Sequence, residues 1–238
     1  MQAQPDQLNP HEISTLLRGE VANIAGWLEQ QSALRFLFHV GIIIVGAGLY
    51  GAAMGWWRDP QQALFTAVKF PLIILLTTAG NALLNAMLAP LFGLNIPFRQ
   101  TFSAILMSFA IAAAILGAFS PLMAFMVWNA PPISPETIKG ATYSLIKLAN
   151  VAVIAFAGMT GNARLFQLLT RLGGSRVIAW RVLFAWLVVN LFLGSQLSWI
   201  LRPFIGAPYL PVEFLRQTAF HGNFYENIFH TVQQIFND

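Results

Sequence analysis

Apolar residues fall in long unbroken stretches along this chain, and polar residues gather at the ends of those stretches instead of alternating with apolar ones. Five runs stand out: Phe36 to Trp56, Phe70 to Leu91, Phe102 to Val127, Ala141 to Met159 and Ile178 to Ile200. Each approaches the roughly 20 helical residues that cross a hydrocarbon core about 30 Å thick. A membrane barrel would need strands that alternate inward and outward, which these runs do not do. The pattern therefore predicts an all-α fold, a polytopic membrane helical bundle with about five transmembrane helices and flanking amphipathic helices. The second run extends backwards through Ala63 to Val68, which puts Pro71 either at the helix start or inside it as a kink.

Two patterned segments flank the bundle and divide the chain into 1–35, 36–200 and 201–238. In the first, Asn9-Pro10-His11-Glu12 reads as a helix start, with Asn as cap and Glu three residues on. Ile13, Leu16, Leu17, Val21, Ile24 and Leu28 then share one helical face. No cleavable signal peptide is expected, since the first 35 residues lack a basic start followed by a continuous apolar stretch. In the last segment, Pro203, Pro208 and Pro211 forbid a continuous helix. Asn223 and Glu226 then repeat the capping pattern, and Phe224, Ile228, Phe229, Val232, Ile235 and Phe236 form the apolar face of a partner-binding or interfacial helix.

Composition sharpens this picture. Of 238 residues, 57% are hydrophobic and 9% charged, with mean hydropathy +0.64. A soluble domain carries about a quarter of its residues as charges, so a water-exposed globule and a basic nucleic-acid-binding face are both excluded. With no Cys, disulfides, thiolate metal ligands and cysteine nucleophiles are excluded as well.

Charge also sets an expected orientation. Five spans place Arg18, Arg35, Arg99, Arg164, Arg171, Arg176 and Arg181 on the amino-terminal side, and Arg58, Lys69, Lys139, Arg202 and Arg216 on the other. The cluster Arg164, Arg171, Arg176 and Arg181, read as a basic loop with Gly161, Gly173 and Gly174, points to the cytoplasmic surface and to lipid headgroups. The expectation from charge is an integral membrane protein with its amino terminus inside.

Inside the spans, Thr77, Asn81, Asn85 and Asn190 form a candidate polar track, or equally a set of hydrogen bonds between neighbouring helices. Lys147 is the one formal charge well within a run, about 9 Å from its start at 1.5 Å per residue, within snorkelling reach of the interface. No Asp or Glu lies in any run to partner it in a proton path. Ala47, Gly51 and Gly55 in the first run, and Ala113 and Gly117 in the third, have the spacing of close helix packing, within the bundle or between copies. The four histidines show no metal-binding spacing, and no nucleotide-binding glycine pattern is present, so neither metal nor cofactor is expected.

The stretches Lys69-Phe70-Pro71-Leu72-Ile73-Ile74-Leu75-Leu76, Leu91-Phe92-Gly93-Leu94-Asn95-Ile96-Pro97-Phe98-Arg99-Gln100-Thr101-Phe102 and Ala118-Phe119-Ser120-Pro121 resemble the core of bacterial Yip-type membrane proteins. That resemblance covers the second and third runs and implies a five-helix protein with a cytoplasmic amino terminus. Related trafficking proteins contact small GTPases, but their Asp-Leu-Tyr-Gly-Pro element is absent here, so a GTPase partner is not implied. The expected function is a non-enzymatic scaffold or accessory subunit of a membrane assembly. Its partners would be the lipid bilayer and other membrane subunits or further copies of the chain, and not nucleic acid. The alternative is a channel or carrier for a small neutral solute or ion through the polar track.

Overall fold

The structure, a computed structural model, describes residues 32–205 and 211–237. The amphipathic pattern from Ile13 to Leu28 lies outside the described residues. Regular structure among the described residues is entirely helical: α1 (Ala33–Trp56), α2 (Pro60–Leu91), α3 (Phe98–Trp128), the short α4 (Pro135–Lys139), α5 (Ala141–Gly173), α6 (Arg176–Leu201) and α7 (Phe224–Asn237). Five of them, α1, α2, α3, α5 and α6, are long and apolar enough to cross a membrane. The architecture is that of an integral, multi-pass membrane protein.

Helix starts follow from local chemistry. Ser32, Asp59 and Ser175 each accept a hydrogen bond from an otherwise orphaned amide of the first turn, those of Arg35, Gln61 and Val177. Pro60 takes the first position of α2, where no amide donor is needed. The short links place consecutive spans antiparallel. The ends of α1, α3 and α6 and the starts of α2 and α5 therefore share one end of the bundle, called here the upper face. The chain links α2 to α3 and α5 to α6 at the lower face.

Helices α2, α3, α5 and α6 close a four-membered ring, and α1 lies in the groove between α2 and α3. Inside the ring, Ile105, Leu165, Leu168, Leu169, Val182 and Trp186 are buried together. Around α1, the core is built on Ile43, Tyr50, Met54, Phe70, Leu106 and Met123. Outward faces stay apolar: Leu83 and Met87 on α2, Leu148 and Val151 on α5, and Phe184 and Leu191 on α6 are all exposed. In water such a surface would aggregate; against lipid tails it is the expected solvent-facing side.

The bounds of two helices differ from the hydropathy pattern. The 32-residue α2 begins at Pro60 and carries Pro71 inside it. Its length is about 48 Å, well beyond a hydrocarbon core of about 30 Å, so the helix either tilts or extends into the interface at its ends. Helix α5 continues beyond Met159 to Gly173. The basic loop expected there is instead a tight turn at Gly174 and Ser175, with Gly174 in the left-handed region at φ 63°. Arg164 and Arg171 ride on the last turns of α5, and Arg176 and Arg181 on the first turns of α6. The extension is amphipathic, burying Leu165, Leu168 and Leu169 at helical spacing while its other face is polar, and a hydropathy average ends before it.

The capping pair ahead of α7 is reciprocal. Glu226 N donates to Asn223 Oδ1 at 2.9 Å, and Asn223 N donates to Glu226 Oε2 at 3.1 Å. Asn223→Ala removes one half of this box and costs about 1 kcal/mol, roughly a fivefold gain in local opening. Hydrogen exchange of the α7 amides is expected to speed up by that factor while exchange in α2 and α3 stays unchanged.

Candidate functional site: a cationic pocket beside a folded-back loop

Pro203 stops α6, and the chain turns back toward α2 instead of leaving the bundle. Arg202 caps the helix in the left-handed region at φ 43°, its amide donating to Ser198 O at 2.8 Å. Phe204 follows at φ 66°. Side chains of this size are strained there by about 1–3 kcal/mol each, so the surroundings must over-determine the turn. Buried Gln62 and Thr66 supply that restraint. Gln62 Nε2 and Thr66 Oγ1 both donate to Phe204 O, at 2.7 and 2.9 Å. Arg58 Nη1 donates to Ile205 O at 2.9 Å, and the Phe204 ring packs edge-on against Phe70 with centroids 4.7 Å apart.

The chain then returns beside the same turns of α2. Lys69 is only 2% exposed, and its ammonium donates to Glu213 O at 3.1 Å between the rings of Phe65 and Phe214. Arg216 Nη2 donates to Trp199 O at 3.2 Å. The guanidinium groups of Arg202 and Arg216 lie 5.3 and 5.9 Å from the Trp199 ring. Between these groups opens a cavity of about 290 Å³, whose lining includes Arg58, Gln62, Lys69, Arg202, Glu213 and Arg216.

Electrostatically the lining is lopsided. Four cationic side chains face one acid, Glu213, which is exposed and engages Lys69 through its backbone carbonyl, not its carboxylate. Asp59 lies beside Arg58 and favours its charged form, but burial outweighs it and pulls the Arg58 guanidinium below the usual arginine range. Burial, and then the charge of Arg216, lowers Arg202 in the same direction. Arginines remain cationic at neutral pH regardless, so the lining keeps its positive charge. Arg216 Nε is also buried and has no acceptor among the described residues. The lining thus offers an excess of charged hydrogen-bond donors over acidic acceptors.

Aromatic residues mark its depth. Trp56 and Trp57 at the end of α1, Trp128 at the end of α3 and Trp199 near the end of α6 all sit at the upper face. Such belts lie at the headgroup level of a bilayer. At the same face, an apolar groove of about 380 Å³ runs between α1 and α3, lined by Leu49, Trp56, Pro121 and Trp128 among others.

The polar residues read from the sequence come together elsewhere, between α2 and α6. Asn81 Nδ2 donates to Asn190 Oδ1, and Asn85 Nδ2 reaches Asn81 O at 2.8 Å as well as Asn81 Oδ1. Asn81 and Asn85 are fully buried. Asn81 faces Asn190, and a β-carbon on Gly194 would lie 3.9 Å from Thr77 Oγ1, so the helices run antiparallel in a fixed register. Thr77 Oγ1, Asn85 Oδ1 and Trp186 Nε1 lack partners among the described residues. The Asn81–Asn190 bond ties α2 to α6, worth about 0.6–2 kcal/mol in a membrane, while Asn85 bonds within α2.

The remaining candidates are dispersed. Ala47, Gly51 and Gly55 are buried within the bundle; a β-carbon on Gly51 or Gly55 would come within 2.7 Å of the carbonyl oxygen of Thr66 or Gln62 on α2. Ala113 and Gly117 meet α1 at Gly46. Lys147 is exposed, its ammonium 5.4 Å from the Tyr143 ring, one turn nearer the start of α5. Arg171, Arg176 and Arg181 are exposed at the lower face, where Arg164 bonds Gln167 on its own helix. Phe224, Ile228 and Phe229 lie on α7, with Ile228 and Phe229 exposed; the side chains of Val232 and Phe236 lie outside the described ones. Tyr225 anchors α7 to α6 by stacking on Phe192 and sharing a 2.7 Å hydrogen bond with Ser195.

No family model, curated protein or solved structure matches the chain. Among the described residues, no three His, Cys, Asp or Glu side chains gather where they would hold a metal ion. The four pocket cations were visible in the sequence only as a charge count for one side of the membrane. Their convergence depends on the turn at Arg202 and Phe204, which carries no glycine or asparagine to announce it.

Proposed function

We propose that this is a non-enzymatic multi-pass membrane protein that works by binding, as a scaffold or accessory subunit of a larger membrane assembly, and that the upper-face pocket is where it engages an anionic group of that assembly. The observation that carries this reading is the convergence of Arg58, Lys69, Arg202 and Arg216 on one cavity. Cations held together at a cost to the fold favour a partner that neutralises them. The hydrogen bonds that tie Asn81 to Asn190 and Asn85 support this reading over a conduit, since they engage the amide groups of these three residues with one another, while Thr77 Oγ1 and Asn85 Oδ1 are without partners among the described residues. In a bacterial inner membrane with the amino terminus inside, the pocket opens to the outer side and the Arg164 to Arg181 cluster lies at the cytoplasmic surface.

The test is extraction of the native protein in several mild detergents, followed by size analysis and mass spectrometry of whatever travels with it. A partner that stays with the wild type and is shed by Arg216→Gln is the expected result. Recovery as a lone monomer or homo-oligomer in every mild detergent overturns the reading.

A further inference from the structure

We infer that the upper-face pocket binds a phosphate group, carried by an anionic lipid headgroup or by a soluble phosphate compound arriving from the aqueous side. The inference rests on the anion-binding reading above and names the chemistry of the anion. Three features of the site select phosphate. The donors are three guanidinium groups and one ammonium; a planar guanidinium fork can pair with two oxygens of a tetrahedral phosphate at once, while the ammonium supplies a compact charge. The cavity of about 290 Å³ lies at the small end of ligand pockets, suited to a headgroup and not to a large molecule. Its depth is that of lipid phosphates, since Trp56, Trp128 and Trp199 place this end of the bundle at the membrane interface.

Two details show donors held ready. Arg216 Nε is buried with no acceptor among the described residues, although its Nη2 is fixed on Trp199 O. Among the described residues, the Lys69 ammonium makes a single hydrogen bond, to a neutral carbonyl, and otherwise touches ring faces. Arg202 is held in the pocket by a strained backbone where Asn or Gly would sit at lower cost. Strain of that kind gathers at binding sites.

The experiment uses the full chain in a neutral detergent and in nanodiscs. Probes are inorganic phosphate, with sodium chloride at matched ionic strength as control, and phosphatidylglycerol against phosphatidylcholine. Thermal midpoint and lipid adducts in native mass spectrometry are read for the wild type, for Arg202→Asn, for Arg216→Gln, and for the exposed lower-face control Arg99→Gln. Arg202→Asn suits the left-handed backbone, so it keeps or raises the unliganded midpoint while apparent affinity falls about tenfold or more, as expected when a charge-assisted contact goes. The lower-face control keeps wild-type affinity. Binding of phosphatidylglycerol that inorganic phosphate does not displace supports the lipid source; stabilisation by inorganic phosphate with no lipid preference supports the soluble one. The inference is overturned if neither probe stabilises the wild type beyond the chloride control, or if both act equally on Arg202→Asn and Arg216→Gln. If both probes are inert while a co-purifying protein is still shed by Arg216→Gln, the phosphate inference fails alone and the anion-binding reading stands.

Discussion

Gly46→Val is expected to leave almost no monodisperse protein after extraction. A β-carbon at Gly46 would clash with the Ala113 carbonyl oxygen, well inside van der Waals contact distance, and one at Gly117 would lie 2.9 Å from Gly46 Cα. Both obstacles are backbone, which cannot rotate aside as a side chain does. Overpacking a membrane or soluble core costs about 1–3 kcal/mol when side chains can shift, and here α1 and α3 must separate instead, so about 3 kcal/mol or more is expected. Gly158→Ala is the contrast. It lies in the interior of α5 with nothing near its missing β-carbon, so helix propensity alone acts and stability rises by about 0.5–1 kcal/mol. Size analysis and thermal melts in one detergent check both; a monodisperse, wild-type-like Gly46→Val would mean that α1 does not sit against α3 as described.

These glycines also show how far sequence reasoning reaches in a membrane bundle. Continuous apolar runs announce spans because a bilayer demands about 20 apolar residues, and all five runs lie within the five long helices. The capping pair Asn223 and Glu226 was legible for a similar reason: its chemistry is local, and both hydrogen bonds close within four residues. Helix α5 beyond Met159 was not, because its buried leucines are spaced for one face and interrupted by arginine, so the continuous signal fades while the helix goes on.

The pocket was the least legible part. Its cations come from α2, from the link between α1 and α2, and from two positions after α6, and only the tertiary return of the chain brings them together. That return relies on positive φ at Arg202 and Phe204, residues chosen against local preference and held by Gln62, Thr66 and Arg58. Where local propensity and the fold disagree in this way, function is the usual reason. The buried amides illustrate the opposite limit. Asn81, Asn85 and Asn190 stood out from their apolar surroundings, yet only the antiparallel register of α2 and α6 decided that Asn81 bonds to Asn190, while Asn85 meets Asn81 one turn away on the same helix.

Lys69→Met is expected to stabilise the protein when no anion is present and to weaken its response to one. The side chain is 2% exposed and shares its cavity with Arg58, Arg202 and Arg216, so its charge is desolvated and repelled, with one neutral carbonyl as compensation. Methionine has similar length and keeps favourable contacts with Phe65 and Phe214 through its sulfur. Replacing buried ionic groups with apolar ones of similar volume is commonly neutral or stabilising by about 1–4 kcal/mol, which sets the expected rise. Salt gives a second reading of the same balance. Raising sodium chloride screens the repulsion in the wild type, so the gap between the two proteins narrows, although partial burial keeps it from closing. Adding phosphate then reverses the order, because the wild type gains binding energy that the variant has lost. A Lys69→Met protein that melts below the wild type in anion-free detergent, with Phe65→Leu and Phe214→Leu behaving alike, would mean that the ammonium serves to clamp the returning chain through Glu213. In that case the positive charge of the pocket is structural, and its cations hold the loop in place instead of waiting for a ligand.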